Sequence, residues 1–148
     1  MQPAAHDHGR PGVPFDVRVV GPDCEPIDDL DLRRLFPGSS LTEERLNRLR
    51  QWPRILVLCC GRVVAVATCQ RVDLELRVPE IGLANPCDCG ERAILHALFD
   101  ALEVAAMAGG CQRLVISPPR MSLMSLERRG YRRVRASCAG AWVEKRLA

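Results

Sequence analysis

The chain has 148 residues, of which 47% are hydrophobic and 26% charged, with a net charge of +3. These values are typical of one globular domain and exclude disorder over most of the length. No apolar run approaches the ~18 residues that a membrane helix needs, and the N-terminal segment lacks the basic-then-apolar pattern of a secretion signal, so we predict a cytoplasmic protein without membrane contact.

The basic residues are almost all arginine, with Lys145 as the one lysine. A GC-rich genome produces this bias, and so does repeated recognition of phosphate or carboxylate groups, which guanidinium binds in a bidentate manner. Composition leaves both interpretations open. The eight cysteines do not predict disulfides in a reducing compartment. Four of them are predicted to act as small hydrophobic residues: Cys59, Cys60, Cys69 and Cys111.

The N-terminal part of the chain predicts a tail, a strand and a helix. Residues 1–12 are rich in His, Gly and Pro and predict a flexible tail, which leaves 13–148 as one domain. The alternating stretch Phe15–Gly21 predicts the first strand. A helix is predicted over Asp28–Phe36 because leucines recur there at helical spacing. The leucines are Leu30, Leu32 and Leu35, and Pro37-Gly38 is predicted to end the helix.

A second helix is predicted over Leu41–Gln51. Ser40 followed by Glu43 fits a capping box at its start. Leu46 and Leu49 form its buried stripe, and its arginines are predicted to face water.

A block of strands follows. Three strands are predicted, joined by turns at Gly61–Arg62 and Gln70–Asp73: Arg54–Cys60, Val63–Cys69 and Leu74–Val78. Pro79 cannot donate a hydrogen bond to a sheet, so it predicts an edge, a bulge or a split between strands.

The second half of the chain predicts a long helix over Gly90–Met107, because Ile94, Leu98 and Leu102 form one apolar stripe, and Gly109–Gly110 ends it. The remaining elements are a strand, a helix and two strands: Arg113–Ser117, Pro119–Arg129, Tyr131–Ser137 and Ala141–Leu147. The order β-α-α-β-β-β-α-β-α-β-β predicts an α/β fold with one mixed sheet and helices on both faces.

Three stretches in this order resemble the GCN5-related N-acetyltransferase (GNAT) family. The hairpin Val57–Ala67 is similar to the family's strand pair with a central glycine and a "VGxA" end. Ser125–Val134, which contains Gly130-Tyr131, is similar to the "LYEKLGFxxV" junction, and Trp142–Leu147 is similar to the closing "MEKRL" strand. Together they cover roughly residues 13–148, and their order makes the resemblance more specific than any one motif.

The resemblance implies a GNAT-like, mostly antiparallel sheet whose fourth and fifth strands splay apart. It implies an enzyme that transfers an acetyl group from acetyl-CoA (coenzyme A) to an amine acceptor, small molecule or peptide. Pantetheine then lies in the opening and bonds to exposed backbone groups of Ile81, Gly82 and Leu83. Family members often pair, so the resemblance also implies a homodimer.

In the family, a loop of the form Q/R-x-x-G-x-G/A holds the pyrophosphate against the amino end of the long helix, where unpaired amides and the helix dipole favour anions. The aligned residues here are Cys87, Asp88, Cys89, Gly90, Glu91 and Arg92. Gly90 matches the central glycine. Cys87 and Arg92 depart from the pattern at its first and last positions.

The catalytic residues implied by the family are only partly matched. The general base is often a carboxylate on the fourth strand, and Glu75 and Glu80 are the candidates. The tyrosine that serves as general acid corresponds to Leu126, which donates nothing, so the acid would be a water, Ser122 or Ser125. Tyr131 fills an aromatic position with a packing role. An alternative function is therefore a catalytically inactive GNAT-like binding or regulatory domain with a degenerate coenzyme A loop.

Two further patterns suggest other chemistry. Cys87 and Cys89 could belong to a zinc site with Cys24, Cys111 or His96, but structural zinc sites normally have two close pairs, so we predict ordinary thiols and no metal. Five arginines surround Gly130 and suggest a phosphate-binding patch: Arg128, Arg129, Arg132, Arg133 and Arg135. No aromatic residues alternate with them, so we predict a solvated patch and no nucleic acid partner.

Overall fold

The computed structural model describes residues 15–21, 27–38, 41–84, 90–117, 123–137 and 140–147. Its elements in chain order are β1 (Phe15–Val20), α1 (Asp29–Leu35), α2 (Glu43–Gln51), β2 (Arg54–Cys59), β3 (Arg62–Val72), β4 (Glu75–Leu83), α3 (Glu91–Ala108), β5 (Arg113–Ile116), α4 (Leu123–Arg128), β6 (Arg132–Ser137) and β7 (Gly140–Arg146). The strands form one sheet in the order β1-β2-β3-β4-β5-β7-β6. All of these neighbours are antiparallel except β4 and β5. The predicted element order and mixed sheet are confirmed.

A hydrophobic core lies on each face of the sheet. Helix α3 covers one face, and its predicted stripe of Ile94, Leu98 and Leu102 is completely buried there. Helices α1 and α2 cover the other face through Leu32, Leu35 and Leu49 among other residues. Burying each of these side chains contributes about 1.5–3 kcal/mol, so both layers of helices are held mainly by packing. The prediction of helices on both faces is confirmed.

Two predictions for α2 need correction, and one leucine of α1 is exposed. Leu30 is 58% exposed, because α1 is short and its buried face is filled by its other two leucines. The cap of α2 is Thr42, whose Oγ1 accepts a hydrogen bond from the Arg45 amide at 3.2 Å, and Ser40 lies outside the described residues. The arginines of α2 do not all face water, since Arg45 is mostly buried against β4.

Strands β3 and β4 are longer than predicted, and β2 ends one residue earlier. The first turn lies at Cys60–Gly61, where Cys60 adopts a φ of 53°. β3 then continues to Val72, because the pairing with β4 extends to the Val72–Glu75 pair. The second turn is therefore at Asp73–Leu74, and Asp73 adopts the left-handed conformation that a tight turn needs.

Pro79 lies at a β-bulge in β4. The β3–β4 register changes there, from Gln70–Arg77 on one side to Thr68–Glu80 on the other. A bulge leaves one residue unpaired, so proline costs no hydrogen bond and β4 continues to Leu83. This confirms the predicted break in regular pairing.

Three of the four cysteines predicted to be apolar are buried, namely Cys59, Cys69 and Cys111, whereas Cys60 is exposed. Burial raises the pKa of the Cys69 thiol to about 12, which makes it an unreactive core residue at neutral pH. No helix in the described ranges is long and apolar enough to cross a membrane. Within those same ranges, no cluster of His, Cys, Asp and Glu is arranged to hold a metal ion.

Candidate active site

The sheet opens between β4 and β5. The two strands pair in parallel from Glu75–Arg113 to Val78–Ile116, and the Ser117 amide donates to the Val78 carbonyl at 3.0 Å. Beyond this point β4 continues for five residues while β5 has ended. The bulge at Pro79 lies where this pairing stops, so among the described residues no strand continues beside β4 and the sheet has a gap there.

The backbone of Ile81 and Leu83 faces this opening. The Ala84 amide donates to the Val64 carbonyl at 2.8 Å, and in an antiparallel ladder the residues that bond to a neighbour alternate with residues that point away from it. Gly82 and Glu80 therefore bond to β3, at their partners Val66 and Thr68. The amides and carbonyls of Ile81 and Leu83 point the opposite way, where no described strand pairs with them.

The amino end of α3 lies on the chain shortly after β4. Gly90 is its N-terminal cap, with a φ of 84° that favours glycine, and it gives no side-chain hydrogen bond to the first turn. The helix dipole adds a partial positive charge at this end, so the first-turn amides can attract an anion. Glu91 and Arg92 are both exposed, so the two opposite charges can turn toward solvent and leave the backbone accessible.

Glu80 lies on the α1–α2 side of the opening. The Arg45 Nε donates to Glu80 Oε2 at 2.6 Å, and Arg45 Nη2 contacts the same oxygen. The Glu80 side chain is only 13% exposed, and within the described structure no group donates to its buried Oε1. The carboxylate is thus held through one oxygen, and the other oxygen has no partner among the described residues.

Gly82 allows Phe36 to pack directly against β4. A Cβ at this position would lie 2.6 Å from Phe36 Cζ, so only glycine fits beside the ring. The Arg45 guanidinium lies 5.2 Å from the centre of the same ring, which is within the range of a cation–π contact. Phe36 therefore supports the arginine that holds Glu80.

Glu75, the second predicted carboxylate, lies at the other end of β4. Its Oε2 accepts from Arg77 Nε at 2.5 Å, and its Oε1 lies 3.1 Å from Arg113 Nη2. Both oxygens are occupied by arginines. The structure does not bring Glu75 and Glu80 together, since they are five positions apart on the strand, at about 3.3 Å per position.

Several solved structures with this architecture are acetyltransferases. The chain superimposes on the IAA acetyltransferase of Bacillus cereus ATCC 14579 with a TM-score of 0.63 and 11% identity, covering 90% of this chain and 100% of that one. It superimposes on a GNAT family acetyltransferase of Elizabethkingia anophelis with acetyl-CoA bound, with a TM-score of 0.63 and 14% identity, covering 90% and 98%. The chain has the GNAT fold.

A third GNAT-fold structure is the ribosomal-protein-S18-alanine N-acetyltransferase of Escherichia coli, with a TM-score of 0.62, 13% identity and coverage of 90% and 94%. No protein-family sequence model matches this chain, and no curated protein matches it by sequence. The fold is therefore preserved where the sequence has diverged far from these neighbours.

The residues that face the GNAT opening fit coenzyme A. The free amides and carbonyls of Ile81 and Leu83 suit the amide groups of pantetheine, and the uncapped amino end of α3 suits a pyrophosphate. Cys87, Asp88 and Cys89, the predicted first half of the phosphate loop, lie outside the described residues. So does Cys24, and the zinc hypothesis for the Cys87–Cys89 pair stays untested.

The helix that carries the general acid in the GNAT resemblance has no donor at the matching position. Leu126 is 2% exposed and packs in the core beside α3. Ser125 is in α4, and Ser122 lies outside the described residues. Tyr131 is buried and packs against Phe99 with ring centres 5.7 Å apart, which confirms its predicted packing role.

Tyr131 also belongs to a charged cluster that the sequence did not predict. Its hydroxyl donates to Glu103 Oε2 at 2.8 Å, and burial followed by the charge of Glu103 raises the pKa of Tyr131 well above its usual value. Arg129 contacts Glu103 at 3.3 Å, Asp100 at 2.7 Å and His96 Nδ1 at 2.8 Å. Burial opposes its charge, but the hydrogen bond with Asp100 and the charge of Glu103 outweigh burial and raise the pKa of Arg129.

The predicted solvated patch of arginines is therefore wrong for Arg129, whose side chain is only 14% exposed. It is buried because α3 places acidic residues one helical turn apart opposite the end of α4. Arg128 and Arg133 are exposed as predicted, and Arg132 forms an ion pair with Glu144 at 3.1 Å.

Sequence reasoning missed Arg45 and Phe36 at the candidate site. Both come from the helical segment that precedes β2, and their contact with Glu80 and Gly82 is made across the sheet. One signal was present: a glycine inside a strand often marks the close approach of another group.

Proposed function

We propose that this chain is an N-acyltransferase that transfers an acetyl group from acetyl-CoA to an amine of a small molecule or peptide. The observation that carries the proposal is the opening between β4 and β5, with the free backbone groups of Ile81 and Leu83 on one side of it and the uncapped start of α3 following β4. The acetyltransferase names of the neighbouring structures support it.

In this proposal the chain binds acetyl-CoA mainly through backbone groups. Ile81 and Leu83 hold pantetheine as an added strand beside β4, with Gly82 keeping the strand close to its support. Gly90, Glu91 and Arg92 present the first-turn amides to the pyrophosphate, and Cys87, Asp88 and Cys89 complete the loop. When bound, acetyl-CoA supplies the thioester that an amine attacks.

We assign the general base to Glu80 rather than Glu75. Glu80 lies beside the opening and keeps Oε1 free, whereas both oxygens of Glu75 are occupied by arginines at the far end of β4. Arg45 holds Glu80 Oε2, so the carboxylate is fixed with Oε1 ready to accept a proton from the amine, directly or through one water. The proton for the leaving thiolate comes from a water, Ser122 or Ser125, because Leu126 has none to give.

The buried Leu126 favours a second function. A GNAT-fold domain without a donor at this position could bind a partner or act as a regulatory domain without turnover. The two functions differ in one observable, because only the enzyme releases coenzyme A in the presence of an amine.

The test is an assay of thiol release from acetyl-CoA against a panel of small amines and peptide N-termini. With an accepted amine, we expect Glu80→Gln to lower kcat by about 10²–10⁴-fold, as loss of a positioned base does. The KM for acetyl-CoA should change little, since the Glu80 side chain is turned toward Arg45 of α2 and the substitution leaves the backbone groups of Ile81 and Leu83 in place.

Glu75→Gln is the matched control, because it makes the same chemical change on the same strand. We expect its kcat to stay within about threefold of the wild type, as for a residue outside the reacting geometry. Equal rates for the Glu80→Gln variant and the wild type would overturn the assignment of the base. Absence of thiol release with every amine would favour the binding domain.

A further inference from the structure

The strand β1 is the edge of the described sheet, and its outer backbone groups are unpaired. The Cys69 amide donates to the Pro53 carbonyl at 2.8 Å, which fixes the alternation in β2: Ile55 and Val57 bond to β3, and Leu56 bonds to β1. Leu56 is the partner of Arg18. Arg18 and Asp16 therefore point their backbone groups at β2, while those of Phe15, Val17 and Val19 point outward along the free edge.

The same edge carries exposed apolar side chains. Val17 is 39% exposed and Val19 is 72% exposed. Between them and α3 lies a groove of about 700 Å³. Its α3 wall is made largely of small and apolar residues: Ala97, Ala101, Val104, Ala105 and Ala108. An unpaired edge beside an apolar groove is the kind of surface that another strand covers.

The charges of β1 are complementary to those of β1 in a second copy. Asp16 and Arg18 lie on the opposite face of the strand from the two valines, where Arg18 Nε donates to Asp16 Oδ2 at 3.1 Å. Their side chains are nevertheless 60% and 46% exposed, so a second copy can reach both charges. In an antiparallel pair, residues directly opposite each other lie on the same face. A two-fold axis at Val17 places the Val17 residues of the two copies opposite each other. Asp16 of each copy then lies opposite Arg18 of the other, so the interface contains two such pairs of opposite charge.

Neighbouring registers lack this complementarity. Residues whose backbone groups point away from β2 can pair only with the same kind of residue in the other copy. The possible β1–β1 registers therefore differ by steps that move the two-fold axis by one residue along the strand. An axis at Arg18 sets arginine against arginine, and an axis at Asp16 sets aspartate against aspartate. Both arrangements place like charges in direct opposition, which is unfavourable.

We propose that β1 pairs antiparallel with β1 of a second copy of this chain, centred on Val17, and that the two sheets become one continuous sheet. The proposal is independent of the proposed function, because β1 lies at one edge of the sheet and two strands, β2 and β3, separate it from β4 at the opening. The amides of Phe15, Val17 and Val19 then donate to carbonyls of the other copy, and the valines of both copies cover the groove beside α3.

Sedimentation of the full chain over a wide concentration range tests the proposal. The wild type should show a monomer–dimer equilibrium. Asp16→Arg alone and Arg18→Asp alone each create two like-charge oppositions, so each should raise the dimer dissociation constant at least about tenfold. The double variant restores opposite charges in exchanged positions and should return to within about threefold of the wild type.

Arg146→Asp, on β7 and away from β1, is the charge-matched control for Arg18→Asp and should leave the dissociation constant unchanged. Amide exchange of the wild type supplies a reading that needs no variant. The amides of Val17 and Val19 should become protected as concentration rises, whereas those of Arg18 and Val20 should be protected throughout. A wild type that stays monomeric, or a double variant that is no better than the single ones, would overturn the proposal.

Discussion

Replacing Glu103 with alanine is expected to lower the free energy of unfolding by about 3–5 kcal/mol, the range found when one partner of a buried ion pair is removed. Glu103 Oε1 lies 3.1 Å from Lys145 Nζ, and its Oε2 accepts from Tyr131 and Arg129. The side chains of Glu103 and Arg129 are only 13% and 14% exposed. Without the carboxylate, a buried guanidinium and a buried hydroxyl lose their shared partner.

Urea unfolding followed by circular dichroism measures this loss. Asp100→Ala is the matched control, because Asp100 lies on the same helix and also contacts Arg129, but is 71% exposed. Its removal should cost no more than about 1 kcal/mol, as is usual for an exposed ion pair. Equal losses for the two variants would show that Glu103 does not hold the cluster together.

Replacing Gly82 with alanine is expected to destabilise the protein by about 1–3 kcal/mol, the usual cost of overpacking a core. The added Cβ would lie 2.6–3.0 Å from three atoms of the Phe36 ring. The ring is 7% exposed and packs in the core under α1 and α2, so it cannot turn into solvent. Thermal unfolding monitored by circular dichroism measures the effect.

A second substitution tests the cause. Phe36→Leu shortens the side chain that the new Cβ meets, so the penalty of Gly82→Ala should be smaller in the Phe36→Leu background than in the wild type. Gly21→Ala is the control for glycine replacement, since a Cβ there meets nothing within 4 Å; it should change stability by less than about 0.5 kcal/mol. Strictly additive effects of Gly82→Ala and Phe36→Leu would contradict the steric explanation.

Local sequence patterns predicted most of the fold. The stripe of Ile94, Leu98 and Leu102 predicted α3 because helical periodicity and burial coincide there. The ends of the strands were less well predicted. Pairing with β4 extends β3 beyond Arg71, and the bulge lets β4 continue after Pro79. These events depend on the neighbouring strand, which a local pattern does not contain.

The sequence predicted only those parts of the candidate site that lie close together along the chain. The strand of Glu80–Leu83 and the helix start at Gly90 follow each other closely in sequence, so one resemblance covered both. Arg45 and Phe36 reach Glu80 and Gly82 across the sheet from a distant segment. Arg129 was predicted to be solvated because nothing in its own segment indicated the carboxylates of α3 that bury it.

The central claim is that the opening between β4 and β5 binds coenzyme A, and isothermal titration of the full chain with acetyl-CoA tests it most directly. The account predicts saturable 1:1 binding with a dissociation constant in the micromolar range or below, about −8 kcal/mol at 1 μM. No heat at millimolar acetyl-CoA, with a thermal unfolding temperature that the ligand does not move, would contradict it and would favour a GNAT-fold binding domain.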